Sequence, residues 1–296
     1  KLPSVYFFFH VEPPVTMQIA TALLYHILKI RIGGAKEGWK SFPRGCQQGF
    51  EHATMFDAEE CPTTEGKVRK TMAQSYVFMT DSDSDLPFSL ADQWQVPVVQ
   101  MPYTLDGVEY LDDNGRTEQG KVLFERLRAG AKANTSLLPA EVYLDYFEPI
   151  LREKDLLFIA FSSKMSNTIQ NIFMARETLL KKYPERKMTV VDTRSISVPM
   201  TLILQGAHKL YQSGASMEEV EQWVLDNRMR ANTIFTVDDL MYLKRGGRIS
   251  TTQAAVGSLL DLKPILVMGR SGRIEPESKE QGRKKAMRTM VEKMVN

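Results

Sequence analysis

Residues 155–168, DLLFIAFSSKMSNT, restrict what this chain can fold into more than any other stretch. Leu156, Leu157, Phe158, Ile159, Ala160 and Phe161 are apolar without alternation, the pattern of a strand covered on both faces in a parallel sheet. Ser162, Ser163, Lys164, Met165, Ser166, Asn167 and Thr168 follow, and a helical period resumes at Ile169, Ile172, Phe173, Leu179 and Leu180. The spacing therefore predicts a central strand, with hydroxyls at its C-terminus and at the start of the next helix. A helix start leaves backbone N–H groups without intrahelical partners and carries the positive end of the dipole, so it favours a carboxylate or phosphate. Open parallel sheets also place their ligand crevice outside the carboxyl ends of the strands. A plain N-cap at Ser166 or Thr168 is the competing reading. A cap needs one hydroxyl, and the stretch offers four.

The elements around it alternate between strand and helix. Residues 76–80 read as a strand running into the acidic loop Asp81-Ser82-Asp83-Ser84-Asp85, residues 86–94 as a helix, and 98–101 as a second strand. A turn falls at Asp106-Gly107 and a helix over 121–128. Asn134-Thr135-Ser136 forms a second hydroxyl-bearing loop before a Pro-initiated helix reaching Glu153. Residues 188–191 make a strand ending at Asp192-Thr193, a helix follows to Gln212, and Ser216 with Glu219 has capping-box spacing for the next. From residue 234 the expectation is a second region, with a helix near 252–260, a strand over 264–268 and a last helix over 281–295. This order argues an α/β fold with a parallel sheet and flanking helices, plus a smaller second α/β domain.

Residues 1–71 read differently, with an aromatic run at 6–10, Pro13-Pro14, and an apolar stretch broken by Gln18, His26, Lys29 and Arg31 that fits neither a membrane span nor a secretory signal. The expectation is an upstream extension, disordered or artefactual, ahead of a natural start at Met72. The expected division is 1–71, an α/β domain over 72–229 and a partial C-terminal domain over 230–296 that stops in mid-pattern. With 296 residues, 43% hydrophobic, and a net charge of +2 with both signs interspersed, a globular core is expected and a nucleic-acid footprint is not. Cys46 and Cys61 are the only cysteines, so no disulfide framework or cysteine-based metal site serves the main body, and a cytoplasmic location is compatible.

Asp81-Ser82-Asp83 after a short apolar strand resembles the nucleophile loop of haloacid-dehalogenase-like phosphatases, in which two aspartates work around magnesium. This gives an alternative function, a magnesium-dependent phosphatase using Asp81 and Asp83, against the plainer reading of loop aspartates that cap and hydrate. His208, mid-helix, reads as a packing residue. No G-x-S-x-G, G-x-G-x-x-G or P-loop pattern occurs. Lys244-Arg245-Gly246-Gly247-Arg248 combines three cations with two glycines that allow an anion-holding nest; a helix end closed by Gly246 explains Lys244 and Arg245 well and Arg248 less well.

Jointly, VFMTDSDSDLP over 77–87, Thr135-Ser136 before Pro139, SSKMSNT over 162–168, Asp192-Thr193, YLKRGGR over 242–248, Lys263-Pro264-Ile265 and RKKA over 283–286 resemble the DegV family, the bacterial fatty-acid-binding group that includes the carrier subunits of fatty acid kinase. The resemblance runs from Met72 to Asn296. It implies a two-domain protein that holds one long-chain fatty acid in a buried apolar tunnel between domains and presents the carboxylate to a partner kinase for acyl-phosphate formation. On that basis the protein is a carrier without a reaction, cofactor or metal of its own. Thr135 and Ser166 would bind the carboxylate, with Ser136, Ser163, Asn167 and Thr168 beside it, and Arg248 and Arg283 would face the head group and partner. Three departures stand out: Asn167 replaces the family's usual glycine, Leu137-Leu138-Pro139 replaces Gln-Pro, and the C-terminal histidine near the head group has no counterpart before Asn296.

Overall fold

A computed structural model describes residues 6–11, 74–237, 240, 243–244, 246–250 and 262–295. By its contacts the chain divides into one unit made of Lys1–His10 and Ala73–Asn296 and another of Val11–Met72. Of residues 1–71, only Tyr6–Val11 is described, as strand β1. The rest of that stretch, both cysteines, the helix expected over 252–260, Asp238, Asp239, Tyr242 and Arg245 lie outside the described residues.

The apolar run of 156–161 becomes strand β7 (Asp155–Ala160), buried from Leu156 onward. It pairs in parallel with β2 (Tyr76–Asp81) on one side and β8 (Met188–Asp192) on the other, and β3 (Val98–Val99) extends the sheet beyond β2. The order β3-β2-β7-β8 puts the chain's first two parallel strands on one side and its next two on the other. The direction of winding therefore reverses between β2 and β7, and the ligand crevice of an open sheet lies outside the strand ends at such a point.

Both faces of β7 are covered, which is why its apolar residues need not alternate. Leu157, Ile159 and Phe161 pack with Met200, Leu204, Val220 and Val224 of helices α5 (Ser197–Gln212) and α6 (Met217–Asn227). Leu156, Phe158 and Ala160 pack with Tyr143, Phe147, Ile169 and Ile172 of helices α3 (Ala140–Leu151) and α4 (Thr168–Lys182). The expected capping box forms at α6: Ser216 Oγ accepts from Glu219 N–H at 3.2 Å, and the Glu219 carboxylate accepts from Ser216 N–H at 2.7 Å. Gly206 lets α6 approach α5 closely, since a Cβ there would lie 2.0 Å from the Trp223 ring. His208 is a packing residue, stacked on Trp94 of α1 (Phe88–Trp94) at 4.8 Å with its Nε2 3.2 Å from the Trp94 carbonyl.

Beside the parallel sheet, β4 (Pro102–Leu105), β5 (Val108–Leu111) and β6 (Ala133–Thr135) form a small antiparallel sheet, with helix α2 (Gln119–Arg128) between β5 and β6 in sequence. Thr135 is therefore the end of a strand rather than part of a free loop: it lies opposite Tyr103, so its backbone completes the third strand. The Pro-initiated helix begins later than the hydroxyls suggest, at Ala140, and no side chain caps it.

The second region has an antiparallel sheet, β9 (Ala231–Thr236), β10 (Leu262–Met268) and β11 (Ile274–Gln281), with β1 at the β9 edge and helix α7 (Arg283–Val295) after it. β11 is absent from the sequence reading, which runs directly from turn to helix. Its registers explain why: a bulge near Ile265/Leu266 accommodates Pro276, and the strand is mostly exposed and charged. Among the described residues no helix is long and apolar enough to cross a membrane.

Candidate functional site

The hydroxyl stretch sits at the predicted junction, between the end of β7 at Ala160 and the start of α4 at Thr168. Ser162, fully buried, organises it. Its N–H donates to Ser195 O at 3.1 Å, its Oγ donates to Gly272 O at 2.8 Å, and its carbonyl accepts from Met165 and Ser166 N–H. Gly272 belongs to the β10–β11 turn, so this one hydroxyl fastens the second region to the root of the loop. Gly272 has φ +83°, and a Cβ there would lie 2.6 Å from Ser162 Oγ and 3.2 Å from Arg194 Cα.

Ser163 is committed to Asp192 at the end of β8: its Oγ donates to Oδ2 at 2.6 Å and its N–H to Oδ1 at 3.2 Å. Ser166, half-buried, lies 2.7 Å from the Thr168 hydroxyl, and its Oγ accepts from Thr168 N–H at 3.2 Å. That satisfies one open donor of the helix start. Asn167 occupies the cap position, is exposed, and makes no side-chain cap bond. Ser163, Ser166, Asn167 and Thr168 thus share one loop at the positive end of α4.

Thr135 and Ser136 come from the separate small sheet and are exposed. One bond ties their segment to α4: Asn171 Nδ2 donates to Leu138 O at 2.7 Å, and Leu138 is buried in the same apolar cluster as Ile169. Sequence reasoning did not single out Asn171, though its place one turn into α4 is the available signal. Thr135 faces the same side of its sheet as its ladder partner Tyr103, because directly opposed residues share a face. Tyr103 lines a half-open cavity of about 260 Å³ with Leu105, Tyr110, Thr117, Glu118, Gln119, Val122, Leu123 and Arg126. This cavity lies within the first region, whereas the family resemblance implies a tunnel between regions.

The acidic loop after β2 packs against the same crevice. Asp81 is fully buried; its Oδ2 accepts the Phe161 N–H at 3.1 Å, and its Oδ1 has no hydrogen-bond partner. Burial, reinforced by the charge of Asp83, pushes its carboxyl well above the usual range, and the Phe161 and Asp83 N–H groups offset this in part. Burial pushes Asp83 up to about 7, with Asp85 and Asp112 adding to the rise and Arg248 opposing it. Arg248, exposed, is thereby placed within electrostatic reach of the crevice, while Arg283 is exposed at the first residue of α7. A wholly buried Asp81 bonded to backbone is not placed to attack a substrate, which removes the geometric basis for the phosphatase alternative. Among the described residues, no group of three or more His, Cys, Asp or Glu is placed to hold a metal ion.

Comparison with known proteins adds the decisive observation: a family model described as an uncharacterised protein of the DegV family matches residues 76–296. The chain belongs to the DegV family. A DegV domain-containing protein from Clostridium perfringens is 34% identical over 222 residues, covering 75% of this chain and 76% of that protein. Among solved structures, a DegV family protein from Thermus thermophilus described by its fatty acid binding is 32% identical, with a TM-score of 0.65 and coverage of 75% and 77%. A DegV lipid-binding protein from Thermotoga maritima is 26% identical, with a TM-score of 0.63 and coverage of 75% and 76%. The α/β fold, with its parallel sheet, flanking helices and smaller second α/β region, matches these DegV structures.

Proposed function

We propose that the protein is a carrier that binds one long-chain fatty acid and presents its carboxylate to a partner fatty acid kinase, which phosphorylates it. Ser166 and Thr135 hold the carboxylate, with Ser136, Ser163, Asn167 and Thr168 around it and Arg248 and Arg283 toward the partner. The observation that carries this reading is the Ser166 hydroxyl at the start of α4, at the switch point between β2 and β7, with the Thr135 segment tied to the same helix through Asn171. Fatty acid and lipid binding in the related Thermus and Thermotoga proteins supports it.

Hydroxyls suit this task. They bind a carboxylate without a permanent charge that would have to be desolvated beside an acyl tail. An acyl chain of about sixteen carbons gains roughly 10 kcal/mol from burial, at about 0.8 per CH₂, before ordering costs. Apolar burial thus sets affinity and the hydroxyls set orientation.

Each hydrogen bond to a charged group is worth roughly 1.5–3 kcal/mol. Ser166→Ala and Thr135→Ala are therefore each expected to weaken fatty acid retention by about tenfold to a hundredfold and to slow phosphorylation by the kinase. Titration of purified, delipidated variants with a long-chain fatty acid measures this, and wild-type affinity in both variants contradicts the assignment.

A further inference from the structure

We propose that Asp192 is a positioning residue: the geometry of its carboxylate, rather than its charge, sets the turn that aims Ser166 at the ligand's head group. This deepens the carrier reading and rests on the carboxylate seat at Ser166. Asp192 is half-buried at the end of β8. Its Oδ2 accepts the Ser163 hydroxyl at 2.6 Å, while its Oδ1 accepts both the Ser163 N–H at 3.2 Å and the Arg194 N–H at 2.8 Å. One side chain thus holds the loop after β7 and the loop after β8 in a fixed relation. Arg194 has φ +51°, in the left-handed region that disfavours a residue with a Cβ, and the bond from its N–H to Asp192 helps to hold it there.

The clamp acts on the same short turn that carries Ser166. Ser162 O accepts from Met165 N–H at 3.1 Å and from Ser166 N–H at 3.4 Å, so residues 162–166 close on themselves with Ser163 inside. The bonds of Ser162 to Ser195 and Gly272 fix where that turn begins. The paired bonds of Ser163 to the two oxygens of a planar carboxylate add a direction, because two acceptors hold an orientation as well as a point. The end of β8 is itself registered on β7, since Thr193 donates its N–H at 3.1 Å and its hydroxyl at 2.9 Å to Ala160 O. Proton counting then separates the hydroxyls. A serine has one O–H to donate and an ionised carboxylate only accepts, so Ser163, which gives its proton to the bond with Asp192, has none left for the ligand. Ser166 and Thr168 share one bond of 2.7 Å between two hydroxyls; whichever donates, the other keeps a proton for the ligand.

Titration of the delipidated full chain with hexadecanoic acid and with hexadecanol, which has the same tail and no charge, separates aiming from general loosening. Asp192→Ala is expected to weaken the acid about tenfold and the alcohol less than about twofold, because the hydrogen bonds to charge are lost and tail burial is not. Asp192→Glu keeps the charge but moves both oxygens a methylene away, and is expected to lose the preference for the acid to the same extent. Asp192→Asn keeps the geometry without the charge: its carbonyl accepts the two N–H groups, its amide donates to Ser163 Oγ, and at least about half of the acid affinity remains. Ser163→Ala added to Asp192→Glu lowers acid affinity no further, since both act through one clamp. Where Asp192→Ala does not fold, the contrast between the glutamate and asparagine substitutions decides alone. Equal losses for acid and alcohol, a wild-type acid preference in Asp192→Glu, an Asp192→Asn protein as weak as Asp192→Glu, or a full further loss from Ser163→Ala overturns the proposal. A wild type that binds the acid no better than the alcohol instead removes the carboxylate seat, and the positioning role with it.

Discussion

Phe158→Ala lowers the stability of the protein by about 3–5 kcal/mol, the range for truncating a buried aromatic to a methyl. Phe158 is fully buried at the middle of β7, opposite Met79 on one neighbouring strand and Val190 on the other. Its ring meets Phe147 edge-on at 5.3 Å, and Phe147 stacks on Tyr143 at 5.5 Å. The space left lies between the sheet and helices α3 and α4, walled by Tyr143, Phe147, Ile169 and Ile172, so the cost of a cavity is added to the lost burial. Against a typical total of about 5–15 kcal/mol this is a large fraction. Urea denaturation followed by circular dichroism checks it: the midpoint falls and the slope stays constant. A loss below about 1 kcal/mol would mean that β7 is not the packed centre of the sheet.

Gly272→Ala is expected to cost about 1–2 kcal/mol from left-handed backbone strain and about 1–3 kcal/mol more from the clash of its Cβ. Gly272 has φ +83°, and the Cβ would meet Ser162 Oγ at 2.6 Å and Arg194 Cβ at 3.0 Å. The Arg194 backbone has no easy way to give. Relief requires the β10–β11 turn to lift from the root of the hydroxyl loop, breaking the Ser162–Gly272 bond of 2.8 Å. Lower thermal stability should therefore come with weaker fatty acid retention. Ser162→Ala separates the two effects, since it removes the bond and relieves the Oγ contact while leaving the glycine conformation intact. A Gly272→Ala variant as stable as wild type would contradict the docking of this turn.

The sequence carried the centre of the molecule because the deciding signals there are local. The unalternated run of 156–161 can only be satisfied by cover on both faces, and the hydroxyls after it mark where that strand ends and α4 starts. The capping box at Ser216 and Glu219 is likewise a matter of spacing. What stayed hidden depends on partners distant in the chain. Ala133–Thr135 is a strand only because Tyr103–Leu105 offers an edge, and Ile274–Gln281 only because a bulged β10 accepts a charged segment containing proline. The same holds at the site. Asp81 and Asp83 have the spacing of a phosphatase loop, and nothing local announces that Asp81 is sealed against Phe161. Ser163 looks like a free hydroxyl until Asp192, from the next strand, accepts its hydrogen bond.

In the proposed carrier, the crevice at the end of β7 receives the acidic end of a long-chain fatty acid. Mass spectrometry of an organic extract of the purified protein tests it most directly. A co-purified long-chain fatty acid is expected at close to one per chain, reduced in Ser166→Ala and Thr135→Ala. A folded protein that yields no fatty acid, and takes none up when supplied, would contradict it.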